Sequence, residues 1–266
     1  MNEATSNFNT VWVAGTPRTG SMWTANIVRE IFKLTGYKVF PEKQYQDPKD
    51  FMKTYIYRSI PEKSLSNKYV YKVHKPLKLD LPRSKYITNI RNPYEICASF
   101  YQFMKCDIEK AIKVALKHID VINYYKQIPK ENLLLIRHEN IENNEISTVK
   151  EIASFVEINL TEKNAELVSN KFSKEQVKQI IKKCETNIKK RIKEMGTVSD
   201  NELVRISPSY TRVFDLDTGF QSGHVAKYSS SKWRNIFSKL DIEKIINSID
   251  DSAIKLGYKS EKKRKE

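Results

Sequence analysis

The stretch that most constrains the fold is 11–23. Val11-Trp12-Val13-Ala14-Gly15 is a short β-branched and aromatic run, Thr16-Pro17-Arg18-Thr19-Gly20 follows as a loop, and a helical pattern covers Ser21–Leu34. A strand that turns this quickly into a helix sets the helix N-terminus at the strand's carboxyl end. The free N–H groups of residues 19–23 and the helix dipole both favour an anion there. Gly20 lets a ligand approach the backbone closely. The spacing Gly15-x-x-x-x-Gly20 opens like a Walker A loop, whose next residues are Lys and Ser/Thr. Here they are Ser21 and Met22, so the lysine for terminal phosphates and the Mg²⁺-holding hydroxyl are both missing. Arg18 supplies positive charge from inside the loop instead. An ordinary strand–helix turn carrying a chance arginine is the plain alternative. An anionic donor that reacts without a metal suits the loop better.

Short apolar runs alternate with longer helical patterns along the rest of the chain. Strands are expected at 37–40, 69–74, 86–91 and 132–137. Helices are expected at 92–104, 108–127, 146–157, 161–170, 173–194 and 241–256. This alternation predicts an α/β fold, a central parallel sheet with helices on both faces and ligands at the strands' carboxyl ends. No repeat or linker divides the 266 residues, so one domain over 1–259 and a charged, frayed tail over 260–266 are expected. Residues 196–223 hold Pro208 and little periodicity, which predicts a long loop, a lid over the site.

Two further clusters carry chemistry. In Arg91-Asn92-Pro93-Tyr94-Glu95, Asn92 is a good N-cap, Pro93 fits the first helical position, and Glu95 completes a capping-box pattern. Arg91 then lies at a strand's carboxyl end and Ser99 two turns into the next helix, where guanidinium and hydroxyl can meet one phosphate. The plain alternative is a capped helix with a solvated arginine. In Tyr71-Lys72-Val73-His74-Lys75-Pro76, strand alternation puts Lys72 and His74 on one face.

These residues resemble those of sulfotransferases that use 3′-phosphoadenosine 5′-phosphosulfate (PAPS). Pro17-Arg18-Thr19-Gly20-Ser21-Met22-Trp23 is similar to the family's 5′-phosphosulfate loop, Pro-Lys-Ser-Gly-Thr-Thr-Trp, with Arg18 at the lysine. Arg91-Asn-Pro and Ser99, eight residues after the arginine, have the spacing of its 3′-phosphate site. Lys72-Val-His74 is similar to Lys-Thr-His-Leu-Pro, in which the histidine is the general base and the lysine assists. His138 stands where the family has a tyrosine near the adenine. Residues 227–237 resemble the loop that closes over the nucleotide. Lys227 matches its lysine, while Ala226 and Tyr228 replace an arginine and a glycine. The resemblance implies a P-loop NTPase-like sulfotransferase architecture with PAPS as donor, PAP (3′-phosphoadenosine 5′-phosphate) as product and no metal. It implies catalysis by His74, Lys72 and Arg18, with nucleotide contacts from Arg18, Thr19, Gly20, Ser21, Met22, Trp23, Arg91, Ser99, His138 and Lys227. If His74 is not the base, Glu42 is a candidate carboxylate. His224, Ser229, Ser230, Ser231 and Arg234 are candidates to compensate for Ala226. For Trp233 and Phe237, core packing is an equal alternative.

A kinase-like phosphotransferase shares such a cradle, but the residues at 21 and 22 count against it. A polyanion or nucleic-acid binder is the other alternative, because 47 Lys+Arg against 32 Asp+Glu leave a net charge of +15. Residues 171–193 alone hold nine basic and two acidic side chains, with no recognised nucleic-acid motif. No apolar run reaches the ~20 residues of a membrane span. The polar start has no secretory pattern, and Cys97, Cys106 and Cys184 form no framework, so a cytoplasmic location and reduced thiols are expected. The acceptor is expected to be a small molecule or a glycan or lipid headgroup. Residues 41–68, 105–113 and 196–223, with Tyr45, Phe51, Tyr55, Tyr57 and Tyr210, are expected to line its pocket.

Overall fold

The computed structural model describes residues 7–46, 66–74, 76–77, 79, 81–207, 210–225 and 230–262. Five strands form one sheet: β1 (Thr10–Ala14), β2 (Lys38–Phe40), β3 (Asn67–Val73), β4 (Ser84–Ile90) and β5 (Leu133–Arg137). Their order is β2-β3-β1-β4-β5, and every pair is parallel. β1 and β4 are buried along their whole length, as expected of inner strands covered on both faces.

Alternation along β1 divides the core. Val11 and Val13 join Ile27, Ile31, Val149 and Ile152 on one face, which packs against helices α1 (Ser21–Leu34) and α5 (Glu145–Phe155). Trp12 and Ala14 turn to the other face with Tyr71, Tyr86 and Tyr125, the last from α3 (Ile108–Tyr125). Each fully buried aliphatic side chain contributes roughly 1.5–3 kcal/mol. A one-residue slip of β1 would exchange the two sets and lose both.

Helix α2 (Pro93–Met104) packs with α3 and with α8 (Lys239–Lys255) in a third cluster. Trp233 stacks there on Tyr94 at 5.0 Å, so it serves the core. The remaining α-helices among the described residues are α4 (His138–Asn143), α6 (Glu162–Lys171) and α7 (Lys174–Met195). Basic α7 is largely solvated, and several of its cations meet acids: Lys174 with Glu142, Lys178 with Glu175 and Arg191 with Glu202.

Three expectations need correction. Residues 196–223 are not a plain loop. They contain an antiparallel hairpin, β6 (Leu203–Ser207) and β7 (Tyr210–Val213), whose short alternating runs Leu-Val-Arg-Ile and Tyr-Thr-Arg-Val carried a strand signal. Ser260 and Glu261 do not fray. Both bond Asp250, and Arg234 pairs with Glu261 at 2.7 Å. Asn92 caps α2 through the Tyr94 N–H, but Glu95 does not close a capping box. Its carboxylate accepts from Arg91 Nε at 3.2 Å.

Candidate active site

The carboxyl ends of β1, β3 and β4 converge on a cavity of about 500 Å³. Its floor is the turn from β1 into α1. Gly15 continues the β3 pairing through its N–H to the Val73 carbonyl, and the Thr19 hydroxyl donates to the Thr16 carbonyl at 2.9 Å. Arg18 and Gly20 both have left-handed backbones, with φ of 69° and 93°. A Cβ on Gly20 would meet His138 Nδ1 and Ile141 Cδ1 at 3.0 Å, so the turn needs glycine for room as well as for φ.

His74 lies just past the end of β3. Its Nδ1 is 2.8 Å from the Gly15 carbonyl, which can only accept, so Nδ1 carries the proton. Nε2 therefore offers its lone pair, and it accepts from Lys72 Nζ at 3.0 Å. Burial, then the Lys72 charge, lowers the His74 pKa to about 3. Burial and Arg18 lower that of Lys72 to about 8. The pair is an imidazole kept neutral, with its basic nitrogen held by Lys72, and both residues line the cavity.

The strand-to-helix turn after β4 supplies the second group of polar side chains. Arg91 Nη1 donates to the Arg18 carbonyl at 2.7 Å, tying the two loops together. Arg18 Nε donates to Ser99 Oγ at 3.0 Å, Nη2 donates to the His224 carbonyl at 3.2 Å, and the guanidinium lies 4.1 Å from the Phe103 ring centre. Arg91 and Ser99 both line the cavity. In this structure, however, Arg18 occupies the hydroxyl that was expected to share a phosphate with Arg91. Burial and the Arg91 and Arg212 charges lower the Arg18 pKa to about 9.

Sequence reasoning missed His118. It is fully buried on α3, and its Nε2 accepts the Arg91 backbone N–H at 3.2 Å. Nδ1, the protonated nitrogen, then donates to Thr16 Oγ1 at 3.0 Å. One neutral imidazole thus braces both anion loops. Burial and Arg91 lower its pKa to about 4. Its only signal was a histidine on an apolar helix face, which usually means a satisfied core residue.

Pro17, Arg18, Gly20, Ser21, Met22, Trp23 and His138 line the cavity, and Thr19 is buried beneath it. His138 opens α4, and burial and Arg91 lower its pKa to about 3. Glu42 is exposed and is not part of the lining. Lys227 lies outside the described residues, as do Phe51, Tyr55, Tyr57, Ala226, Tyr228 and Ser229.

The profile of the Sulfotransferase domain family matches residues 8–252. This chain belongs to that family. Mouse Sulfotransferase 6B1 is 23% identical over 177 residues, which cover 60% of this chain and 58% of the relative. The match therefore spans less than two thirds of that sulfotransferase. Among solved structures, a retinol dehydratase in complex with androsterone and the inactive cofactor PAP superposes with a TM-score of 0.58 and 15% identity, covering 91% of this chain and 80% of its own. Mouse sulfotransferase SULT7A1 complexed with PAP gives 0.57 at 14% identity, covering 95% and 88%. These likenesses establish that the five-stranded parallel sheet and its helices form the sulfotransferase fold.

Proposed function

We propose that this chain transfers a sulfuryl group from PAPS to a hydroxyl or amine acceptor, releasing PAP. One observation carries the reading: a neutral His74, its Nε2 held by Lys72, faces the same cavity as an anion cradle without Walker A cations. The cavity also fits a nucleotide. Trp23 Nε1 and His138 Nδ1 are buried with no hydrogen-bond partner among the described residues, and such groups call for a polar ligand. The N–H groups of residues 19–23, with Arg18 and Lys72, would hold the 5′-phosphosulfate. Arg91 and Ser99 would hold the 3′-phosphate, with Trp23 and His138 beside the adenine. Lys227 is assigned to the closing loop on resemblance alone.

PAPS supplies a sulfuryl group whose bond to the 5′-phosphate oxygen breaks as a bond to the acceptor's oxygen or nitrogen forms. His74 Nε2 takes the acceptor's proton in that step. An acceptor hydroxyl that bonds Nε2 displaces Lys72 Nζ, whose charge can then meet the negative charge growing on the leaving phosphate. Arg18 gives up Ser99 to the donor and turns its guanidinium to the same charge. The acceptor is a small molecule or a glycan or lipid headgroup, met in a cytoplasmic setting. No described helix is long and apolar enough to cross a membrane.

Thermal shift tests the donor directly. PAP in EDTA should stabilise the protein by about 2.7 kcal/mol at a hundredfold excess over Kd. ATP–Mg²⁺ should do far less. Stabilisation by ATP–Mg²⁺ alone would favour a kinase-like phosphotransferase.

A further inference from the structure

The β6–β7 hairpin sets a cation, Arg212, directly behind the cavity wall, packed against the lining residue Phe103 though not itself part of the lining, and the donor chemistry above does not use it. Arg212 lies on β7 directly across from Val204 of β6, and residues opposed in an antiparallel ladder share a face. Val204 and Ile206 line the cavity, as does Phe103, against whose ring the Arg212 guanidinium packs at 3.7 Å. Arg212 is 2% exposed, and neither Nε nor Nη1 has a hydrogen-bond partner among the described residues. No carboxylate among the described residues pairs with it. A buried charge without a counter-ion is costly, so the site is built to receive one.

The position favours the acceptor over the donor. The donor's anionic groups have the 19–23 turn, Arg18, Lys72, Arg91 and Ser99. Arg212 packs on Phe103, one helical turn along α2 from Ser99, and Phe103, Met104, Val204 and Ile206 give the cavity an apolar stretch there. The His224 ring, stacked on Phe103 at 5.3 Å, also lines the cavity there. Lys105 lies over the Tyr210 ring at 3.6 Å, with Arg212 against the same ring at 5.3 Å, so a second cation accompanies the first.

We propose that Arg212 is the counter-ion for an anionic group, a carboxylate or phosphate, on an acceptor whose hydroxyl or amine meets His74. The acceptor would then carry an apolar body against Phe103 and the hairpin, with its acid at one end and its nucleophile at the other. This inference rests on the sulfuryl-transfer reading.

The test is calorimetry on PAP-loaded protein with a matched panel of hydroxylated aryl and alkyl carboxylates and their methyl esters. Wild type should prefer at least one acid over its ester by about tenfold or more, the usual weight of a charge-assisted contact. Arg212→Gln should abolish that preference, leaving ester affinity and PAP affinity within about twofold, and Arg212→Lys should restore part of it. Arg212→Met should be at least as thermally stable as wild type without ligands, whereas a merely structural arginine would make it less stable. Equal affinity for acids and esters in wild type, an unchanged preference in Arg212→Gln, or no binding of either set overturns the proposal. Lost PAP affinity in Arg212→Gln also overturns it and moves the residue to the donor site. Failure of wild type to bind PAP at all would instead defeat the donor reading.

Discussion

The two walls of the cavity are built in different ways. On the β1–β4 side, the strand-end turns are tied to one another by hydrogen bonds between loops distant in sequence. Of the buried lining atoms named above, only Trp23 Nε1 and His138 Nδ1 lack a partner among the described residues. Gly15 orients His74, Arg91 holds the Arg18 carbonyl, and His118 ties Arg91 to Thr16. On the hairpin side, Arg212 and His224 pack on Phe103 by ring contacts; His224 Nδ1 accepts the Gln221 N–H, while Arg212 Nε and Nη1 have no partner among the described residues. A site that must bind one invariant anionic group benefits from rigid, satisfied loops. A site that takes a particular acceptor can leave its polar groups for the ligand to complete.

The sharpest way to break this contrast is at His74. His74→Ala should lower turnover by about 10²–10⁴-fold, the usual weight of a general base. PAP affinity should stay within a factor of a few, because Arg18, Arg91, Ser99 and the N–H groups of residues 19–23 remain in place. Steady-state rates and a PAP titration check both parts. A fall of only a few-fold in rate would remove His74 from the base role.

Gly20→Ala tests the rigidity of the floor. The left-handed φ and the 3.0 Å approach to His138 and Ile141 should together cost about 1–3 kcal/mol of stability. PAP binding should weaken as the turn shifts. Denaturant unfolding with and without PAP reads both effects.

A further prediction concerns His118 and pH. In the unfolded chain a histidine takes its proton near 6.5, while folded His118 does so only near 4. Between those values the unfolded state binds more protons, so stability falls as pH drops through that window. One such histidine contributes up to about 1.4 kcal/mol per pH unit. His74 and His138, lowered to about 3, act in the same direction. His118→Gln should make the loss between pH 6.5 and 4 visibly shallower in chemical denaturation. An unchanged slope would mean that His118 is already charged in the folded protein.

The same contrast explains what the sequence made legible. The 11–23 turn, α2 with its Asn92 cap and the Lys72–His74 spacing are local patterns set by backbone geometry, and the fold places them at one sheet edge. The bracing by His118 joins residues 27 and 102 positions apart, and no periodicity announces such a contact. The hairpin was missed because its strands are four and five residues long and flank Pro208. Glu95 fitted a capping box by spacing, but the neighbouring guanidinium outcompeted the backbone N–H for its carboxylate. The net charge of +15 first suggested nucleic acid. In the fold, a few cations face the cavity, while much of α7 is solvated and paired with acids.

Transfer of label from ³⁵S-PAPS tests the central claim most directly. Purified protein would be incubated in EDTA with pooled phenols, alcohols, amines and glycans, alongside His74→Ala. Label should leave the nucleotide for an acceptor with wild type, in step with PAP release, and the rate should collapse with the variant. Label that stays on the nucleotide, while ATP–Mg²⁺ gives up its phosphate to the same pool, would contradict sulfuryl transfer.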